Sequence, residues 1–187
     1  MSPSRTGGSS DRSAAVRQRL IDAATELIPE LGWEAVSTRA LAERAGVAPG
    51  LVHYHFTSIP ELLRQASLGL ISTMVGQLAQ IDDPVEAVAA TLDVVDGTEP
   101  ASVLMLETAL ASLRDAHLRA GLTEVVRDFR RLVADHLRGA GVADPDATAS
   151  VLAATIDGLM LHRALNPELN GAAVRTVLPR LIQGPVG

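Results

Sequence analysis

The chain has 187 residues and a formal net charge of −6; 47 % of it is hydrophobic, 20 % charged and 2 % aromatic, and it contains no cysteine. This much apolar material excludes a disordered chain, and the missing cysteines exclude a disulfide scaffold, a Cys-ligated zinc site and a thiol nucleophile. The acidic balance by itself speaks against nucleic acid, but it is uneven: within residues 1–20, Arg5, Arg12, Arg17 and Arg19 stand against Asp11 alone.

Residues 1–12, rich in Ser, Gly, Arg and Pro, read as a disordered arm. A first helix is predicted from Ser13 to Gly32. Leu20, Ala24, Leu27, Ile28 and Leu31 share one of its faces. Gly32 suits the residue just past its end, and Pro29 predicts a kink or an early stop. Ser37 caps a short helix over 38–45, which Gly46 terminates. Pro49 opens a second short helix over 49–55. Ser58 and Glu61 have the spacing of a capping box, with Pro60 in the tolerated first turn. A long helix then runs to Gln80 along an apolar stripe of Leu62, Ala66, Leu70, Met74 and Leu78. Beyond Asp82-Asp83-Pro84, helices are predicted over 84–96, 101–114, 118–138, 145–165 and 171–182, with a possible bend at 120–122. No strand pattern and no internal repeat is visible, so the fold class is all-α with about nine helices.

No stretch reaches ~18–20 apolar residues without a charge, so no helix is expected to span a membrane. The first residues lack the apolar core of a secretory signal. The expectation is a soluble, cytoplasmic protein.

The most informative stretch is 37–61. Two short helices joined by a tight turn containing glycine form a helix-turn-helix. Ala42 is small where the second helix crosses it, and Gly46 can take the positive φ of the turn. Val52 fills the angle between the helices, and Leu41, Ala45, Val47 and Phe56 complete the small core. The outer face of the second helix is left free to lie in a DNA major groove, with its N-terminal residues at base edges.

Residues 14–63 resemble the DNA-binding domain of TetR-type repressors. The resemblance rests on Ala-Ala-Thr-Glu-Leu-Ile at 23–28, Gly32, Ser-Thr-Arg at 37–39, Leu41, Ala42, Ala-Gly-Val at 45–47, Gly50, His-Tyr-His-Phe at 53–56 and Glu-Leu-Leu at 61–63. The run Ala-Thr-Ile-Asp-Gly-Leu-Met-Leu-His at 154–162 is similar to the penultimate helix of many members. The resemblance implies an N-terminal helix-turn-helix domain over 13–59 and a helical dimerisation and ligand-binding part over 60–187. It also implies a homodimer through 145–165 and 171–182, reading a pseudo-palindromic duplex DNA operator.

Carried over position by position, the implied DNA contacts are Ser37, Thr38, Arg39, Pro49, Gly50, Leu51, His53, Tyr54, His55, Thr57 and Ser58. Leu51 offers a thymine methyl contact and no hydrogen bond. Two positions depart from the family pattern. His53 stands where Tyr is usual, and Ile59 stands where a phosphate-gripping Lys is usual. The second change removes one ionic contact and flattens the salt dependence; the Arg-rich stretch at 5–19 is the compensating charge available. The resemblance further implies a repressor released by a small effector, with the long helix after Ser58 as the lever. A cavity among helices 84–138 is mostly Ala, Leu and Val, which suits an apolar effector. Its polar anchors come from Asp93, Asp96, His117 and Arg127, and Phe129 either lines that cavity or fills the core. No cofactor and no metal is implied.

Plainer readings stand beside these. His53 and His55 are two apart on a helix, point to different sides and do not make a chelating pair. His117, His136 and His162 are widely separated and read as surface or core histidines. Asp157 either faces the ligand cavity or is solvated, and Gly158 reads as close packing. Arg127, Arg130 and Arg131 beside Asp128 form a solvated face. No nucleotide-binding glycine loop, metal motif or nucleophile–base spacing argues for an enzyme. The alternative is a helical adaptor that binds protein, without DNA or enzymatic activity.

Overall fold

A computed structural model describes residues 7–81, 86, 90, 99–166 and 168, with side chains from Ser10 onward. Among these residues every regular element is helical. They form α1 (Gly7–Leu31), a short 3-10 turn (Trp33–Ala35), α2 (Thr38–Ala45), α3 (Gly50–His55), α4 (Ile59–Leu78), α5 (Pro100–Ser112), α6 (Ala116–Gly139) and α7 (Pro145–Leu165). The helix expected over 171–182, and that over 84–96 apart from residues 86 and 90, lie outside the described residues. No described helix is long and apolar enough to cross a membrane.

The chain divides into two compact units between Leu70 and Ile71. The division falls inside α4, not at its start as the sequence suggested. Leu62, Leu63, Ala66 and Ser67 in its first half are all buried, so these turns belong to the N-terminal core.

In the N-terminal unit, α1 begins at Gly7, ahead of the Ser13 start and within the arm expected over 1–12. A helix gains one hydrogen bond per residue once nucleated, and residues 7–12 hold no proline to stop it. Nor does Pro29 end it: α1 runs on to Leu31. Proline removes one donor, and only two residues follow before Gly32, at φ 82°, donates its N–H to the Ile28 carbonyl at 2.9 Å. Leu20, Ala24, Leu27 and Ile28 are buried as their spacing predicts, whereas Leu31 is exposed.

The turn between α2 and α3 is built as the residues dictate. Ser37 Oγ accepts the Ala40 N–H at 3.3 Å. At the other end of α2, Gly46 adopts φ 63° and ψ 43°. Val47 N–H then reaches the Ala42 carbonyl at 2.9 Å and Gly46 N–H the Glu43 carbonyl at 3.2 Å, closing a Schellman turn. Leu41, Ala42, Ala45, Val52 and Phe56 are buried, and Val47 is half-buried.

In the C-terminal unit, α6 packs against both α5 and α7, and α5 also touches α7. One cluster joins Ala134 and Leu137 of α6 to Ala149 and Leu152 of α7, with Val133, Val142 and Leu159 around it. A second joins Ile156 and Met160 to Met105, Leu106 and Phe129. The helix α6 is continuous across 120–122, without the possible bend. Asp115 caps it, accepting the N–H groups of His117 at 2.9 Å and Leu118 at 3.0 Å. His136 ties α6 to the residues after α4, with Nδ1 2.8 Å from the Leu132 carbonyl and Nε2 2.7 Å from the Ile81 carbonyl.

Because Gly46 sits in the left-handed region, Gly46→Ala is expected to destabilise the N-terminal unit by about 1–2 kcal/mol. Denaturant unfolding followed by circular dichroism measures this. An unchanged midpoint would show that the turn does not depend on that conformation.

Candidate nucleic-acid interface

The interface is set by what α3 buries and what it leaves out. Pro49 precedes it with φ −53° and ψ −33°, already helical. Val52 is buried, and Phe56, which follows α3 in extended conformation, is only 2 % exposed. These two anchors turn the other face outward. Pro49, Gly50, His53 and Tyr54 are exposed, Tyr54 to 75 %, while Leu51 and His55 are half-buried. A Cβ on Gly50 would meet nothing within 4 Å, so the fold does not require glycine there.

Ser37 and Arg39, at the start of α2, are also exposed. Thr38 Oγ1 lies 3.3 Å from His53 Nε2, which brings the start of α2 to the exposed face of α3. The two arginines of α2 differ sharply. Arg44 is held by Glu26 at 3.0 Å and Glu30 at 2.6 Å on α1. The hydrogen bonds that Arg44 donates to Glu30 and Glu26 raise its pKa, and Arg44 lowers that of Glu30. Arg39 forms no ion pair among the described residues. Its charge is therefore available to an incoming anion.

The capping box at α4 forms with one change. Ser58 Oγ accepts the Glu61 N–H at 3.2 Å. The Glu61 carboxylate does not return to Ser58; it accepts the N–H of Thr57 at 2.8 Å and the Thr57 hydroxyl as well. These bonds lower the Glu61 pKa. Both donors of Thr57 are thus directed to an internal carboxylate, whereas Ser58 keeps its hydroxyl hydrogen. Glu61 also accepts from Gln65 Nε2 at 2.9 Å, and Gln65 Oε1 accepts from Arg17. The Arg17 guanidinium lies 5.0 Å from the centroid of the Phe56 ring. The sequence marked Glu61 by its spacing and Arg17 only as one charge of the basic stretch at 5–19, and Gln65 carries no local signal.

Of the residues expected to contact an effector, His117, Arg127 and Phe129 are described. His117 and Arg127 are exposed, Arg127 paired with Glu124. Phe129 is half-buried and packs against the cluster of Ile156 and Met160. Asp93 and Asp96 lie outside the described residues.

Comparison with known proteins agrees with this geometry. Residues 20–66 match the family described as bacterial regulatory proteins, tetR family. Residues 79–184 match the tetracyclin repressor-like C-terminal domain. The HTH-type transcriptional regulator BetI of Rhizobium meliloti is 30 % identical over 167 residues, 80 % of this chain and 78 % of that protein. A transcriptional regulator from Rhodococcus sp. Rha1 superposes with a TM-score of 0.79 at 27 % identity, covering 90 % of this chain and 96 % of that one. A regulator from Saccharomonospora viridis, crystallised in complex with choline, shares the fold with a TM-score of 0.76 at 22 % identity, over 91 % of this chain and 97 % of that one.

The lowered pKa of Glu61 fixes the sign of a pH effect. A carboxyl with a depressed folded pKa contributes stability above its unfolded pKa, and that contribution is lost as pH falls through the folded value. Wild-type protein is therefore expected to lose more stability than Glu61→Gln between neutral pH and the acid range. Unfolding midpoints of both proteins across pH provide the check, and parallel curves would contradict it.

Proposed function

This chain belongs to the TetR family of bacterial regulatory proteins and is a DNA-binding transcriptional regulator, not an enzyme, and we propose that it is a cytoplasmic repressor that binds a pseudo-palindromic operator as a homodimer and is released by a small, apolar effector. The observation that carries the DNA reading is the outward face of α3, held by Val52 and Phe56 beside the unpaired Arg39. Thr38, Arg39 and Ser37 meet phosphates at the start of α2. Gly50 allows the α3 backbone close to the duplex, and Leu51, His53, Tyr54 and His55 reach the groove. Ser58 retains a hydroxyl for phosphate. Thr57, with both donors engaged by Glu61, supports the contact without making it.

The dimer is proposed through α7. Val151, Ala154, Gly158, Leu161 and Leu165 recur at helical spacing on one face. Val151 and Leu165 are 66 % and 77 % exposed. A Cβ on Gly158 would meet nothing within 4 Å, so its own chain does not require glycine there, and a partner helix can approach closely. Asp157 adjoins this face, and its partly desolvated carboxyl has a raised pKa. The stretch 171–182 is assigned to the same interface from the family resemblance.

The effector is proposed to enter the C-terminal unit beside Phe129, by repacking the apolar cluster of Met105, Leu106, Ile156 and Met160, in which the two methionines are adaptable. The choline-bound relative supports a small molecule as the effector class. Such a ligand releases DNA only if it binds the released state more tightly than the DNA-bound one. Its polar anchors are not assigned to His117 or Arg127, both of which face solvent.

Selection of random duplex DNA by the purified protein at two salt concentrations tests the reading. One enriched palindrome is expected. Arg39→Ala should weaken binding to it about tenfold and lower the salt slope by about one. Gly50→Ala should leave folding intact, since Ala favours a helix over Gly, yet weaken the complex. No enrichment from a folded dimer would favour the adaptor reading. Leu165→Arg is expected to shift the protein toward monomer in sedimentation analysis; an unchanged dimer would place the interface elsewhere.

A further inference from the structure

We infer that Arg17, Gln65 and Glu61 are positioning residues for DNA recognition, forming with Phe56 and Thr57 a closed circuit that sets the pose of α3. The circuit can be followed atom by atom. Phe56 ends α3, and Thr57 follows it. Thr57 donates its N–H and hydroxyl to one Glu61 oxygen. The other Glu61 oxygen accepts Gln65 Nε2 at 2.9 Å. Gln65 Oε1 accepts from Arg17, and the Arg17 guanidinium returns to the Phe56 ring. Three segments meet here: α1, α4 and the link that follows the recognition helix.

The chemistry of each member is specific. The Gln65 amide stands between a cationic donor and an anionic acceptor, so only one of its two orientations satisfies both. Arginine suits the Phe56 end because its planar fork stacks on a ring while donating at its edge. The start of α4 is occupied by the chain's own carboxylate, and Ile59 brings no cation to it. The circuit thus commits these groups, at the surface, to one another and to the end of α3 and not to a phosphate. α3 has six residues and a single buried side chain within them, so a small rotation would move Tyr54 and His53 off their targets. Recognition groups need placement within about 0.5 Å.

The inference rests on the DNA-binding reading above, and the test separates the two. Full-length wild type, Arg17→Lys, Arg17→Gln and Gln65→Leu are titrated with the duplex that wild type enriches and with a random duplex of equal length, across a salt series. Arg17→Lys and Gln65→Leu should each lose about tenfold in affinity for the enriched duplex. Random-duplex affinity, salt slope and active fraction should not change. The double variant Arg17→Lys/Gln65→Leu should be no weaker than the weaker single, because one circuit is already open. Full affinity for Arg17→Lys with a shallower salt slope for Arg17→Gln would make Arg17 a phosphate ligand and overturn the inference. Equal losses on both duplexes, or additive losses in the double variant, would overturn it as well. Should Arg17→Lys not fold, Gln65→Leu alone decides by the ratio of the two affinities. A wild type that enriches no duplex removes the DNA-binding reading and the circuit's role together.

Discussion

A recognition helix of six residues cannot hold its own shape. Isolated helices shorter than about 12–15 residues are marginal in water even with favourable sequences. The helix α3 therefore takes its form from contacts outside itself, and the rest of the N-terminal unit can be understood as supplying them. Gly46 in the left-handed region turns the chain into α3. Val52 and Phe56 bury the inner side of the segment against the core. The first turn of α4, capped by Ser58 and Glu61, fixes the exit. The exposed face is what remains after these demands are met, and that remainder is the part of the molecule proposed to meet DNA.

The same economy governs charge. An acidic protein must present locally positive or neutral surface to approach a polyanion, and the remaining charge lowers non-specific affinity. On α2 this division is visible within a few residues. Arg44 is neutralised by two carboxylates of α1 and serves packing. Arg39, one helix end away, has no such partner among the described residues. The carboxylate of Glu61 likewise lies inside the unit's hydrogen bonding, where it organises the link after α3.

The C-terminal unit is organised around α6 and α7, which share two apolar clusters. Burial of Ile156 and Met160 on one side of α7 leaves Val151, Leu161 and Leu165 on another. A helix that is apolar on more than one side has more than one packing partner to satisfy. The inner side is satisfied by α5 and α6 of the same chain. The outer side is where the second copy is proposed to pack.

Much of this was legible from sequence because it is local. The apolar spacing in α1, the Ser37 cap, the Gly46 stop and the Ser58 cap of α4 are set by residues within one or two turns of each other, and they took their expected places except that Leu31 is exposed and the Glu61 carboxylate turns to Thr57. The all-helical class and the helix-turn-helix followed from the same signals. Tertiary structure decided what depends on distant residues. Whether Pro29 breaks α1, where α4 divides between two units and whether Phe129 faces a core are questions of packing, to which local spacing is blind. Nothing in the local sequence around Arg17 or Arg44 names the partner of either arginine. Folding placed two carboxylates of α1 beside Arg44, and an aromatic ring and an amide beside Arg17. A long cation takes its role from whatever the fold brings within its reach.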